Sequence, residues 1–182
     1  TTTVANLAIT YANLGKKTLL IDLDLRKPVL HKVFNIDKTP GLTSFLSGVE
    51  NIDKIINKTS IDCLDIITSG IVPPNPSEVI QSEKMKELLN VISEKYDVIL
   101  FDSPPLIAVT DAFILREYVE QFVLVVRSAI TAKGALDRVL NIFKNSESSI
   151  SGVVLNGLSE EHSYGSGYYY NYYQYYYGES KD

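Results

Sequence analysis

The stretch Thr18-Leu19-Leu20-Ile21-Asp22 decides the fold of this chain. Three consecutive large aliphatic residues leave neither face for water, so the run suits a strand buried on both sides of a parallel sheet. The acid at its end then stands at the sheet's C-terminal edge. The same design recurs at Val98-Ile99-Leu100-Phe101-Asp102, closed by the turn Ser103-Pro104-Pro105. Before the first run, Val4, Leu7, Ala8 and Tyr11 recur at helical spacing and Gly15 supplies a stop, which predicts a helix over residues 1–14. Further helices are expected over residues 82–95, 111–118 and 132–144, and further buried strands over residues 64–68, 122–127 and 150–155. Alternating strands and helices predict an α/β fold: a doubly wound, mostly parallel sheet flanked by helices.

With 182 residues, 45% of them hydrophobic, the chain is long enough for one domain with a substantial core. Its formal net charge of -5 argues against a nucleic-acid partner, which needs a basic face to neutralise phosphates. Cys63 is the only cysteine, and His31 and His162 the only histidines, so neither a disulfide framework nor a Cys/His zinc site can be assembled. Cys63 beside an apolar strand is expected in the core, and His31 is expected to pack rather than catalyse. No apolar run approaches the roughly 20 residues that span a bilayer, so a cytoplasmic chain is expected, with membrane attachment through a partner.

After Leu158 the composition shifts to Gly, Ser, Asn, Gln and tyrosine. Tyr164, Tyr168, Tyr169, Tyr170, Tyr172, Tyr173, Tyr175, Tyr176 and Tyr177 are nine of the chain's twelve tyrosines, with no branched aliphatic residue among them. Residues 1–158 therefore read as the core and residues 159–182 as a flexible tail.

In open α/β sheets, ligands bind where the loops converge beyond the strands' C-terminal ends. Asp22 and Asp102 are predicted to meet there, and two carboxylates suit hydrated Mg²⁺; a lone aspartate serves equally well as a helix or turn cap, the role expected of Asp111. Arg26 and Lys27 either steer phosphate or an acidic segment, or form an exposed pair of loop charges. Arg127 and Asn156 end predicted strands at the same edge.

The string Ile21-Asp22-Leu23-Asp24-Leu25-Arg26-Lys27-Pro28 resembles the second Walker motif of the bacterial tyrosine kinases, and residues 98–105 resemble their Walker B motif. Thr1-Thr2-Thr3-Val4-Ala5-Asn6-Leu7-Ala8 resembles the segment just after the lysine of their Walker A loop, a glycine-rich turn whose N–H groups cradle phosphates. By that match the loop and its lysine would immediately precede Thr1. Val72-Pro73-Pro74-Asn75-Pro76-Ser77-Glu78 and Gly152-Val153-Val154-Leu155-Asn156 extend the resemblance over essentially the whole chain. It implies a P-loop NTPase-like kinase core using ATP and Mg²⁺, with Asp22, Asp24 and Asp102 catalytic and Thr1, Asp24 and Asp102 around the metal. Thr1, Thr2, Arg127 and Asn156 would bind the nucleotide, although Thr2 and Thr3 also read as N-cap residues.

The resemblance further implies autophosphorylation of the tail tyrosines in trans within a ring of subunits, and control of capsular or exopolysaccharide synthesis and export. The implied partners are a transmembrane adaptor of the polysaccharide co-polymerase kind, which activates the kinase and holds it at the inner face of the membrane, and a cognate tyrosine phosphatase. Two other readings share the Walker-type acids or the fold: a P-loop ATPase that positions cellular cargo, as partition and division-site proteins do, and a scaffold without catalysis. The tyrosine tail and Leu25-Arg26-Lys27-Pro28 favour the kinase, because a cargo-positioning ATPase needs neither. For the tail itself, the competing reading is a segment that binds other molecules by aromatic stacking.

Overall fold

The computed structural model describes residues 1–106, 114–145 and 149–158. They fall into two compact units, Thr1–Glu120 and Gln121–Asp182. The tail tyrosines, Asp111 and His162 lie outside the described residues.

The first unit is built around β1 (Thr18–Asp22), buried along its whole length. Helix α1 (Thr2–Asn13) precedes it and ends as expected: Gly15 takes a left-handed φ of 76° and its N–H donates to the Ala12 carbonyl at 2.8 Å. Four short pieces come next that no sequence period predicts: α2 (Leu30–Val33), α3 (Leu42–Leu46), α4 (Ile52–Ile55) and the strand β2 (Ile56–Lys58). After them stand β3 (Leu64–Ile67), α5 (Pro76–Ile80), α6 (Glu83–Ser93) and β4 (Val98–Asp102). Pro76 opens α5 where its missing N–H costs nothing. In the stretch expected to be helical over residues 111–118, the described part holds a 3₁₀ turn at Leu115–Glu117.

The sheet order is β2-β3-β1-β4, with β1 parallel to both neighbours and only β2 antiparallel. Successive β1 residues serve opposite faces. Leu19 and Ile21 pack into a core with Met85, Leu88 and Ile92 of α6, spaced for one helix face. Leu20 faces Ala5, Ala8 and Ala12 of α1 together with Leu30 of α2. Helices thus cover both faces of a mostly parallel sheet, the doubly wound arrangement. Cys63 departs from expectation: it is exposed, with φ 63°, because it forms the turn into β3, where its carbonyl accepts the Thr18 N–H at 2.8 Å.

The second unit pairs β5 (Phe122–Arg127) and β6 (Ile150–Asn156) in parallel, with helix α7 (Lys133–Lys144) between them in sequence. Phe122 meets Phe143 of α7 edge-to-face, ring centroids 5.1 Å apart. These strands were expected to be buried on both faces. Among the described residues of this unit one helix covers a two-stranded sheet, so burial alternates and Val123, Val125, Val153 and Leu155 are exposed.

Candidate active site

In the register of β1 with β4, Asp22 pairs with Asp102, so the two acids stand level on adjacent parallel strands, roughly 4.8 Å apart along the hydrogen-bonding direction. The ladder continues one residue further, with the Leu23 N–H donating to the Asp102 carbonyl at 2.8 Å. Both side chains are withdrawn from bulk water: Asp22 is fully buried and Asp102 is 5% exposed.

Asp22 is held by backbone donors. The Leu30 N–H, at the start of α2, donates to Oδ2 at 3.2 Å, and the Asp24 N–H donates to Oδ1 at 3.3 Å. Burial pushes its carboxyl up to about 7; Asp102 and Asp24 add like charge, and the two backbone bonds only partly offset these effects. Asp102 accepts the Thr1 hydroxyl proton on Oδ2 at 2.6 Å. Thr1 is the N-cap of α1, but its side chain caps nothing and turns to Asp102 instead. Thr2 and Thr3 therefore lie inside the helix and are not caps.

Asp24 is half-buried, and its Oδ1 accepts the N–H groups of Arg26 at 3.2 Å and Lys27 at 2.9 Å. That turn fixes the loop leaving β1. His31 is partly buried as expected, and its Nδ1 has no hydrogen-bond partner among the described residues; burial, then Lys32 and Lys38, lower its pKa. Arg127 and Asn156 pair in register at the ends of β5 and β6, in the second unit, and the Ser128 N–H donates to the Asn156 carbonyl at 2.8 Å. The structure thus brings together Thr1, Asp22, Asp24 and Asp102 of the first unit, while Arg127 and Asn156 are neighbours within the second.

Among the described residues, no group of three or more His, Cys, Asp or Glu side chains is placed to hold a metal ion by itself. Two carboxylates and a hydroxyl are instead an open set of hard oxygen donors, which fits a divalent ion that keeps several of its waters. No described helix is long and apolar enough to cross a membrane.

The elevated Asp22 carboxyl makes stability pH-dependent. The folded chain binds the Asp22 proton more tightly than the unfolded chain, so this contribution is full below about pH 4 and is lost as pH rises through about 7. In metal-free buffer, the wild type is expected to lose roughly 2–4 kcal/mol more stability between pH 4 and pH 8 than Asp22→Asn. Urea titrations of both proteins across that range would check it, and parallel pH profiles would refute it.

Comparison with known proteins places this geometry among relatives. The AAA domain family model matches residues 1–152. Over 166 residues, the chain is 41% identical to the tyrosine-protein kinase YwqD of Bacillus subtilis (strain 168), covering 90% of this chain and 70% of that protein. The chain spans only 21% of two longer curated tyrosine-protein kinases that it matches at 41% and 39% identity, the first named for a cps region. The crystal structure of the chimerical protein CapA2B2 superposes with a TM-score of 0.82 at 37% identity, covering 85% of this chain and 69% of that one. The septum site-determining protein MinD of Pyrococcus horikoshii, complexed with Mg-ADP, superposes with a TM-score of 0.65 at 25% identity, covering 84% and 62%.

Proposed function

Because the chain belongs to the bacterial tyrosine-protein kinases, we propose that it transfers the γ-phosphoryl group of ATP to the tyrosines of residues 164–177 in a second copy of itself. The observation that carries this reading is the buried Asp22–Asp102 pair at the tips of β1 and β4, in a chain that also carries nine closely spaced tyrosines. Phosphoryl transfer depends mainly on positioning and charge stabilisation. A phenol of pKa about 10 is weakly ionised at neutral pH, so a carboxylate beside it speeds attack by accepting its proton. Asp22 takes that role: its oxygens are held by two backbone N–H groups, and its pKa of about 7 lies near the working pH. The tyrosyl oxygen then forms the new P–O bond, the bond to ADP breaks, and the proton rests on Asp22.

Thr1, Asp24 and Asp102 are the residues that would hold Mg²⁺, which supplies charge neutralisation on the nucleotide phosphates. Thr2, at the start of α1, lies where a helix N-terminus favours phosphate, and Arg127 and Asn156 are assigned to the nucleotide by family position. Residues 1–158 act as the core and 159–182 as the substrate tail. Tyr168 lies twelve residues beyond Asn156, a span of about 40 Å when extended. Nine phosphotyrosines would add roughly 14–18 negative charges, enough to loosen a ring that gathers tails together, with a phosphatase resetting the cycle. The name of the cps-region relative supports a role in capsule or exopolysaccharide production. Activation and attachment at the inner face of the membrane are assigned to a transmembrane adaptor.

The test is intact mass before and after Mg-ATP, using the chain preceded by the family's glycine-rich loop and lysine, with the adaptor's cytoplasmic end supplied. A ladder of about 80 Da steps confined to residues 164–177 is expected. Replacing all nine tail tyrosines by Phe should abolish it while leaving aromatic stacking largely intact. ATP hydrolysis with no gain in mass would instead favour the cargo-positioning reading, for which the MinD likeness speaks.

A further inference from the structure

Strand β3 lies beside β1 with Ile21 level with Ile67, so Thr68 comes level with Asp22 at the same sheet edge. The chain leaving β3 there is tied down at both ends. The Leu42 N–H donates to the Thr68 carbonyl at 2.7 Å, and the Thr43 N–H to the Ser69 carbonyl at 3.0 Å. Gly70, at φ 79°, packs so closely on Thr43 that a β-carbon there would lie 2.3 Å from the threonine hydroxyl. At the other end Pro76 is buried at the start of α5, and Asn75 donates to Glu78.

Between these anchors the loop turns apolar groups outward. Ile71 is 70% exposed, Val72 is 45% exposed, Pro74 is exposed and Pro73 is half-exposed. An anchored loop that presents two aliphatic side chains and two proline rings to water, next to an acid-tipped strand, has the surface of a recognition site. Exposed Lys27 lies beyond the tip of β1, and exposed Lys32 sits on α2, whose first N–H is bonded to Asp22. All of these groups belong to the first unit.

We propose that Ile71, Val72, Pro73 and Pro74, with Lys27 and Lys32 beyond the same sheet edge, form the platform that docks the tyrosine-rich tail of a second copy of this chain and selects it as substrate. The complementarity is chemical. Tail residues 164–177 offer tyrosine rings and no branched aliphatic, so their means of binding is to lay rings on aliphatic and proline faces. Four carboxylates, Glu160, Glu161, Glu179 and Asp182, flank the rings against one lysine, Lys181, and match the two platform lysines in sign. Rings seated on the platform hold a neighbouring tyrosine beside Asp22. These are positioning residues for the reaction under "Proposed function", on which the inference rests.

The test needs no catalysis. A fluorescent peptide of residues 159–182 is titrated, in the absence of nucleotide, with the full chain carrying serine at its nine tail tyrosines, so that its own tail does not compete, and binding is read by anisotropy. Ile71→Ser with Val72→Ser is expected to weaken binding about tenfold. The conservative pair Ile71→Leu with Val72→Ile should retain it, which a merely polar or folding effect would not predict. Lys27→Ala with Lys32→Ala should flatten the salt dependence of binding. Equal binding with the platform unchanged and with serine at Ile71 and Val72, or no binding with the platform unchanged, overturns the proposal. Platform-dependent binding without a mass ladder overturns the tail-kinase reading alone.

Discussion

Asp22→Asn is expected to slow tyrosine phosphorylation by about 10²–10⁴-fold, the range that a positioned general base contributes. The substitution keeps the volume of the side chain and one carbonyl oxygen, which can accept only one of the two N–H groups, Leu30 and Asp24, that Asp22 holds on separate oxygens. What it removes is a proton acceptor at the tip of β1, one strand away from Asp102. The loss should therefore fall on kcat, with the KM for ATP nearly unchanged, because the side chains of Thr1, Asp24 and Asp102, the groups assigned to the metal, are untouched. Single-turnover phosphate transfer monitored by mass would measure it. A rate within threefold of wild type would remove Asp22 from the role of base and leave it a buried structural acid. Asp102→Asn makes a useful contrast: it disturbs the Thr1 bond and the donor set for the metal, so both KM and kcat should suffer.

The second large effect is on stability. Gly41→Ala is expected to cost about 3 kcal/mol, at the upper end for overpacking. Gly41 has an ordinary extended backbone, φ -148°, so its need is for space and not for conformational freedom. A β-carbon there would lie 2.4 Å from the Gly70 nitrogen, 2.6 Å from the Thr68 carbonyl oxygen and 2.7 Å from the Gly70 Cα. All three are backbone atoms at the buried junction of α3 with the end of β3, and no side chain can rotate to relieve them. For a chain of this size the melting temperature should fall by roughly 10 °C. Gly48→Ala is the control, since no heavy atom lies within 4 Å of its β-carbon position and only its positive φ penalises alanine, at about 1 kcal/mol. Equal melting points for the two variants would show that the junction relaxes. Because the same junction anchors residues 70–74, Gly41→Ala should also weaken binding of the tail peptide.

Much of the frame was legible from residues alone. The strands Thr18–Asp22, Val98–Asp102 and Phe122–Arg127 stand where their apolar runs predicted, since such runs between turn signals have few alternatives. Helices α1, α6 and α7 lie within a residue or two of their expected bounds, set by spacing and by stops such as Gly15. The pairing of the two acid tips was also legible in the sequence, because parallel strands buried in one sheet end at one edge.

Residues 28–80 were far less legible. The helices α2, α3, α4 and α5 have four or five residues each, too short to show a period or to hold together alone. Bonds from outside the helix hold the starts of two of them: Leu30 of α2 to the Asp22 side chain, and Leu42 and Thr43 of α3 to the Thr68 and Ser69 carbonyls beyond β3. Cys63 misled because proximity to an apolar run says nothing about a left-handed turn.

The sequence by itself thus determined the fold class, the family resemblance and the identity of the acids, since these depend on local pattern and on the order of motifs. The tertiary structure alone decided that Asp22 is fully buried and carries a raised pKa, that Thr1 turns from its helix to Asp102, and that Gly41 and Gly70 pin an apolar loop beside the acid-tipped edge. The reason is physical: desolvation and close packing depend on atoms that residues distant in sequence bring together, and no local period encodes those distances.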